Sequence, residues 1–351
     1  MTAQPPNTSE FSHGPPYTEN RPGKRRAKDP PSYSSAKRRR VFEITSVPLW
    51  YQPPHPLSVN GLLQSHCRTR LYVHPLQWTA QHLELLGYRF VRRTNRELTN
   101  HRAQHQPQSE LQLPSEATIL DIAQDLRTPS VRDWKAATVT RFLKGCNVIH
   151  LDSSRLRFYF KGRTVTTVPT SSIFSHRSNT ASLAYLDLKC VGSKRDKSIG
   201  LVMSRKLEGP VWRIKETQQR RLIPPNEAED PYIAGVLIAL AQGLQHEHQH
   251  QHQKQSADRP NECLKPVPME LDPAVLPRQT ATDFEVRLLA LARDAQSLYF
   301  YTASIPSISL DMLDKPSHYH NANVVLISYH IIPLYPRKNL VPTMQSIISS
   351  L

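Results

Sequence analysis

Two hydrophobic periods alternate along this chain, and the point where one gives way to the other predicts the architecture. Ser115 stands where an N-cap belongs, and Ile119, Ile122, Ala123 and Leu126 follow at the spacing that lines one face of a helix. Thr128-Pro129 ends that helix. Ser130 and Asp133 resemble the start of a second one, which carries Val131, Trp134, Ala137 and Phe142 to a stop at Gly145. From Asn147 the period becomes two. Val148 to Leu151 and Leu156 to Phe160 read as strands, and Lys161-Gly162 turns the chain into Arg163 to Val168 as a hairpin. Leu183 to Lys189, Ile199 to Met203 and Val211 to Lys215 extend the run of strands.

The clearest helix covers Asp230 to Leu244. Asp230 caps it, Pro231 occupies the first turn where its missing N–H costs nothing, and apolar side chains cover almost its whole circumference. Such a helix is expected to be buried on a sheet. Strands resume at Phe284 to Leu291, Leu298 to Ser304 and Val324 to Ile332, with a short helix at Ser307 to Leu313 and a terminal helix within Leu340 to Leu351. Upstream, Thr79 to Leu86 reads as a short helix closed by Gly87. Leu71-Tyr72-Val73 reads as a short strand, and the polar stretch Thr94 to Pro114 as a loop.

The order predicts an α+β fold: a largely antiparallel or mixed sheet with one buried helix packed on it, preceded by a helical pair. Residues 115–335 form the expected core domain, with a low-complexity insertion at 245–280. Residues 41–114 form an N-terminal appendage and loop, with core signals starting at Val41 to Ile44, and 336–351 hold the C-terminal helix.

Residues 1–40 have almost no branched aliphatic side chains and are expected to be disordered. This tail holds two basic clusters, Lys24-Arg25-Arg26 and Lys37-Arg38-Arg39-Arg40, on a Pro/Ser-rich spacer. That is the layout of a bipartite nuclear-import signal, in which two linked cationic runs engage two acidic grooves of an import receptor. The predicted location is the nucleus. No run of 18 apolar residues is available to span a membrane, and the first residues have no apolar leader segment. Cys67, Cys146, Cys190 and Cys263 have no CxxC spacing and read as reduced thiols.

The net charge is +16, of which the tail holds only part: nine Lys/Arg against three acidic residues. Lys189 to Arg221 carries ten more Lys/Arg, an excess that favours a polyanionic partner. Read as a strand, Arg213 and Lys215 project from one side, and Arg220 and Arg221 follow. They are the candidate nucleic-acid contacts, against the simpler reading of an edge strand that uses charge to resist aggregation.

Asp187-Leu188-Lys189 at a strand end invites comparison with the acid-x-Lys motif of Mg²⁺-dependent nucleases, where the acid holds the metal and the lysine orients water. A second carboxylate is then needed, from Asp152 or Glu216; without it the site is a solvated strand edge. The tract His246 to His252 alternates imidazoles with Gln and Glu. It reads as a His/Gln insertion and not as a metal site, for lack of a Cys or an acidic outer shell. Dinucleotide-binding, P-loop, hydrolase-elbow and zincin motifs are all absent, and His66-Cys67 is better read as a partly buried thiol than as a nucleophilic pair. No cofactor is expected.

Five phrases carry a resemblance: LYVHPLQW (71–78), SVRDWKAATVTRFL (130–143), IGLVMSRKLEGPVWRIKETQQRRL (199–222), DPYIAGVLIALAQ (230–242) and LYFYTASIPSISLDMLDKPS (298–317). They resemble a group of uncharacterised proteins from filamentous ascomycete fungi. The resemblance implies a single fold over most of 71–335 and carries no activity with it. The resulting expectation is a nuclear, non-catalytic protein that contacts nucleic acid or nuclear proteins; the alternative is a divergent Mg²⁺-dependent nuclease.

Overall fold

Sequence periodicity becomes sidedness in a three-layer arrangement whose middle is a seven-stranded mixed sheet. A computed structural model describes residues 53–94, 113–129, 132–175, 180–201, 209–257, 282–336 and 339–351. All belong to one compact unit, Pro53–Leu351. The import clusters, Val41 to Ile44, Cys263 and nearly all of the 94–114 loop lie outside the described residues. The sheet contains β1 (Tyr88–Arg92), β2 (Ile149–Leu151), β5 (Ser172–Ser175), β6 (Leu183–Asp187), β7 (Asp283–Leu291), β8 (Ser297–Pro306) and β9 (Val325–Pro333), in the order β1-β9-β8-β7-β6-β5-β2. β1 pairs parallel with β9 and β6 with β7; the remaining neighbours are antiparallel. β3 (Arg155–Phe160) and β4 (Arg163–Pro169) form a separate two-stranded hairpin, turned through Lys161 and Gly162, both with positive φ. The fold is α+β.

Each long strand is buried on both faces over part of its length, because each face has its own helical layer, while Glu285, Ser304 and Leu326 stay exposed beyond the second layer. On β7, Val286, Leu288 and Ala290 point to one apolar cluster while Leu289 and Leu291 point to the other. The first cluster is closed by helix α7 (Pro231–Ala257) and by the inner face of the hairpin. The second is closed by α3 (Glu116–Arg127), α4 (Arg132–Gly145) and the terminal helix α9 (Leu340–Ser349). This is why Leu183 to Asp187 is buried at every position instead of alternating. Ser115 caps α3 by accepting the Thr118 N–H, and Ile119, Ile122, Ala123 and Leu126 form its buried face. In α4 the buried face is Val139, Phe142 and Leu143, while Trp134 is exposed.

Several expected strands are helices or turns. The strand expected at Leu183 to Lys189 stops at Asp187, which becomes the N-cap of helix α5 (Leu188–Ser198). Ile199 and Gly200 close that helix instead of opening a strand, Leu201 is helical and buried, and Val202 and Met203 fall outside the described residues. Val211 to Lys215 belongs to helix α6 (Pro210–Leu222). Five residues of apolar/polar alternation there are outvoted by Pro210 in the first turn and by a long run of good helix formers after it. Leu71 to Val73 is no strand: β1 occupies the sheet edge, and His74 caps a 3₁₀ turn at Pro75–Gln77 that interrupts any extension. The polar tract after Leu244 begins as a continuation of α7, which runs on to Ala257, because no Gly or Pro interrupts the nucleated helix between Leu244 and Ser256.

Helix α7 enters the core through two devices. The 3₁₀ turn Glu227–Glu229 is held by three tyrosines: Tyr299 Oη donates to Glu227 (3.0 Å), Tyr301 Oη to the Ala228 carbonyl (2.8 Å) and Tyr329 Oη to Glu229 (3.0 Å). Asp230 then caps the helix, accepting the Tyr232 N–H at 2.9 Å. Its carboxylate also meets Arg195 of α5 through two bonds of 2.5 and 2.6 Å, with both side chains at most 2% exposed. The Arg195 Nε–H donates to the Leu76 carbonyl at 2.8 Å. One guanidinium therefore ties α5, the Pro75 turn and the start of α7 together.

Two glycines separate a steric requirement from mere tolerance. In α1 (Val59–Ser65), a Cβ on Gly61 would lie 2.2 Å from the His55 carbonyl oxygen, whereas one on Gly192 of α5 meets nothing within 4 Å. Gly61→Ala is expected to cost about 1–3 kcal/mol by overpacking, while Gly192→Ala stabilises by roughly 0.5–1 kcal/mol through helix propensity. Urea unfolding of both variants checks the opposite signs.

Candidate functional site

Asp187 and Lys189 part company as the chain changes from strand to helix. Asp187 is 7% exposed, and its Oδ1 accepts the backbone N–H groups of Lys189 (2.9 Å) and Cys190 (3.4 Å). Its own N–H donates to Ser171 Oγ at 3.1 Å. The carboxylate is thus occupied as a helix cap. Lys189 sits exposed in the first turn of α5, not two residues along a strand on the same face as Asp187. The candidate second carboxylates are placed elsewhere. Asp152 is exposed between β2 and β3, and Glu216 lies on α6, paired with Arg220 at 2.8 Å. Among the described residues no three of His, Cys, Asp and Glu converge in a metal-holding group. His246, at the start of the histidine tract, packs against Tyr159 in a tilted contact with ring centroids 4.0 Å apart.

The predicted cationic contacts gather on α6, in a different arrangement from a strand face. Two residues along a helix rotate by about 200°, so Arg213 and Lys215 diverge. Lys215 turns inward, and its Nζ donates to the Gly200 carbonyl at 3.1 Å. Gln219 bonds Asp196 of α5, and Leu222 is buried. These three side chains seat the helix against the end of α5. The outer face is left to Arg213, Arg220 and Arg221, all exposed, beside Ile214 (59% exposed), while Val211, one turn before Lys215, is exposed at the helix start on the other side. Arg220 is tethered one turn back to Glu216, a surface pair of small energetic weight.

A second basic face was not singled out from the sequence. On the hairpin, Leu156 and Phe158 point inward, which leaves Arg155 and Arg157 exposed on the other side, with Arg163 exposed at the start of β4. No carboxylate pairs with these three among the described residues. The signal was present in Arg155-Leu156-Arg157-Phe158, where cations alternate with apolar residues along a true strand. A hairpin and a helix thus each show solvent a short row of arginines on an apolar foundation, and either arrangement can grip phosphate oxygens.

No known protein family, no curated protein and no solved structure matches this chain. Among the described residues no helix is long and apolar enough to cross a membrane.

The cap geometry makes Asp187 a structural residue in a measurable way. Asp187→Ala should lower stability by about 0.5–2 kcal/mol, while Asp187→Ser, which keeps an acceptor, recovers most of it. Urea denaturation measures both. Equal losses in the two variants would remove the capping account.

Proposed function

We propose that this protein is a nuclear, non-catalytic interaction protein that contacts nucleic acid through the outer face of α6. The observation that carries the reading is the division of labour on that helix. Lys215 and Gln219 are spent on seating it, whereas Arg213, Arg220 and Arg221 face solvent beside uncovered Ile214. A surface serving only solubility has no need to display aliphatic side chains among its cations. A nucleic-acid groove accommodates both, with guanidinium groups on phosphates and aliphatic groups against sugars and bases. The chain's +16 charge supplies the long-range attraction. The basic clusters at Lys24 to Arg26 and Lys37 to Arg40 supply the address by engaging an import receptor. The engagement of Asp187 by backbone amides favours binding over phosphodiester cleavage.

Two experiments test this. Binding of the full chain to short single- and double-stranded DNA and RNA is measured at two salt concentrations. The charge-reversed variant Arg213→Glu/Arg220→Glu/Arg221→Glu should bind at least tenfold more weakly, and its salt slope on duplex DNA should be shallower by about two to three. An unchanged affinity and slope would overturn the assignment to α6. Separately, replacing Lys37 to Arg40 with alanine should abolish nuclear accumulation of a fluorescent fusion; undiminished accumulation would remove the import assignment.

A further inference from the structure

The structure contains a cavity of about 310 Å³. It lies among α1, α2 (Ala80–Leu86), the hairpin and α8 (Ser307–Asp314), with Leu62, Leu85, Trp78, Phe158, Phe160 and Leu313 among its walls. The volume falls at the lower end of the range for small-molecule sites. The cavity opens to solvent where Tyr72 and Val165 are exposed, so its apolar walls meet water that an apolar ligand would displace. Here rigid neighbours hold it open. Trp78 is fixed by an edge-to-face contact with Phe158 (centroids 5.7 Å) and by its Nε1–H bond to the Val73 carbonyl at 3.3 Å. The Pro75 turn is anchored through Leu76 by buried Arg195.

The chemistry of the walls selects the occupant. Among the described residues no Asp, Glu, Lys or Arg lines the cavity, so a charged ligand would lose its hydration with no opposite charge to meet it. Of the histidines, His74 is committed: Nδ1 accepts the Leu76 N–H at 3.0 Å, and Nε2 lies 3.1 Å from the Thr167 carbonyl. His82 is 7% exposed, its Nδ1 accepts the Thr79 N–H at 3.0 Å, and the backbone of Leu71 and Arg70 engages the rest of the ring. Accepting at Nδ1 puts the proton of the neutral ring on Nε2. Burial lowers the His82 pKa below its ordinary 6.5, with nearby backbone groups of Leu71, Arg70 and Thr79 opposing this in part, so the ring is neutral at pH 7.

We infer that this cavity binds a small, neutral, apolar molecule of aromatic or alicyclic shape. The site is independent of the α6 surface and does not depend on the nucleic-acid reading.

The probe is N-phenyl-1-naphthylamine, a neutral dye whose emission rises and shifts to the blue in apolar surroundings, titrated into the full chain at pH 7. Saturable one-site binding is expected. Neutral 1-methoxynaphthalene displaces the dye, and anionic 1-naphthoate does not. Val165→Trp plugs the mouth from β4, where Val165 is 44% exposed and an aromatic is tolerated on the strand. This variant should weaken binding by about tenfold or more while melting like the wild type. Leu62→Trp, from the α1 wall, is the second plug should the first unfold. Absence of saturable binding overturns the inference. So does undiminished binding to a folded plug variant, or equal displacement by naphthoate.

Discussion

A guanidinium and a carboxylate removed together from water are costly, by several kcal/mol per ion even after relaxation, unless geometry and further hydrogen bonds return the loss. Arg195 and Asp230 meet that condition. They pair through two parallel bonds, the Arg195 Nε–H is taken by the Leu76 carbonyl, and Asp230 accepts the Tyr232 N–H at the helix start. Neither group can leave without exposing the other as a buried, unpaired charge. The contact therefore selects one arrangement of α5, the Pro75 turn and α7 over the many that a wholly apolar junction would tolerate.

Both candidate surfaces descend from this junction. Asp196, next to Arg195, and Gly200 at the end of α5 hold Gln219 and Lys215, so the direction of α5 sets which face of α6 meets solvent. Leu76 belongs to the turn that presents Pro75 and Trp78 to the cavity, so the same guanidinium keeps that wall in place. The close approach is also visible at Gly235, where a Cβ would lie 2.9 Å from the Pro75 ring. The tyrosines of β8 and β9 do the corresponding work on the sheet side by fixing Glu227 to Glu229 ahead of the helix.

What the residues revealed before the structure follows from how local their signals were. The helix from Asp230, the face Ile119-Ile122-Ala123-Leu126, the Lys161-Gly162 hairpin and the Gly87 stop are each decided within a few residues, and each stands in the structure. β1 and β5 were not anticipated. Each is a short strand whose existence depends on a distant edge, β9 for Tyr88 to Arg92 and β6 for Ser172 to Ser175. Alternation misled at Val211 to Lys215, since five residues fit a strand as readily as a helix flank. Asp187 read as a catalytic carboxylate only while Lys189 was assumed to continue the strand. His82 and the cavity were invisible, because a void is made by elements from Val59 to Leu313 that share no sequence pattern.

The central claim is that the Arg195–Asp230 pair acts as one unit that positions everything around it. A double-mutant cycle tests this directly, with Arg195→Met, Asp230→Asn and the combination compared by urea unfolding of the full chain. Each single variant should lose about 3–5 kcal/mol, and the double variant should lose much less than their sum. Losses that add to within roughly 0.5 kcal/mol would show that the two side chains do not depend on each other, and the account built on their pairing would fail.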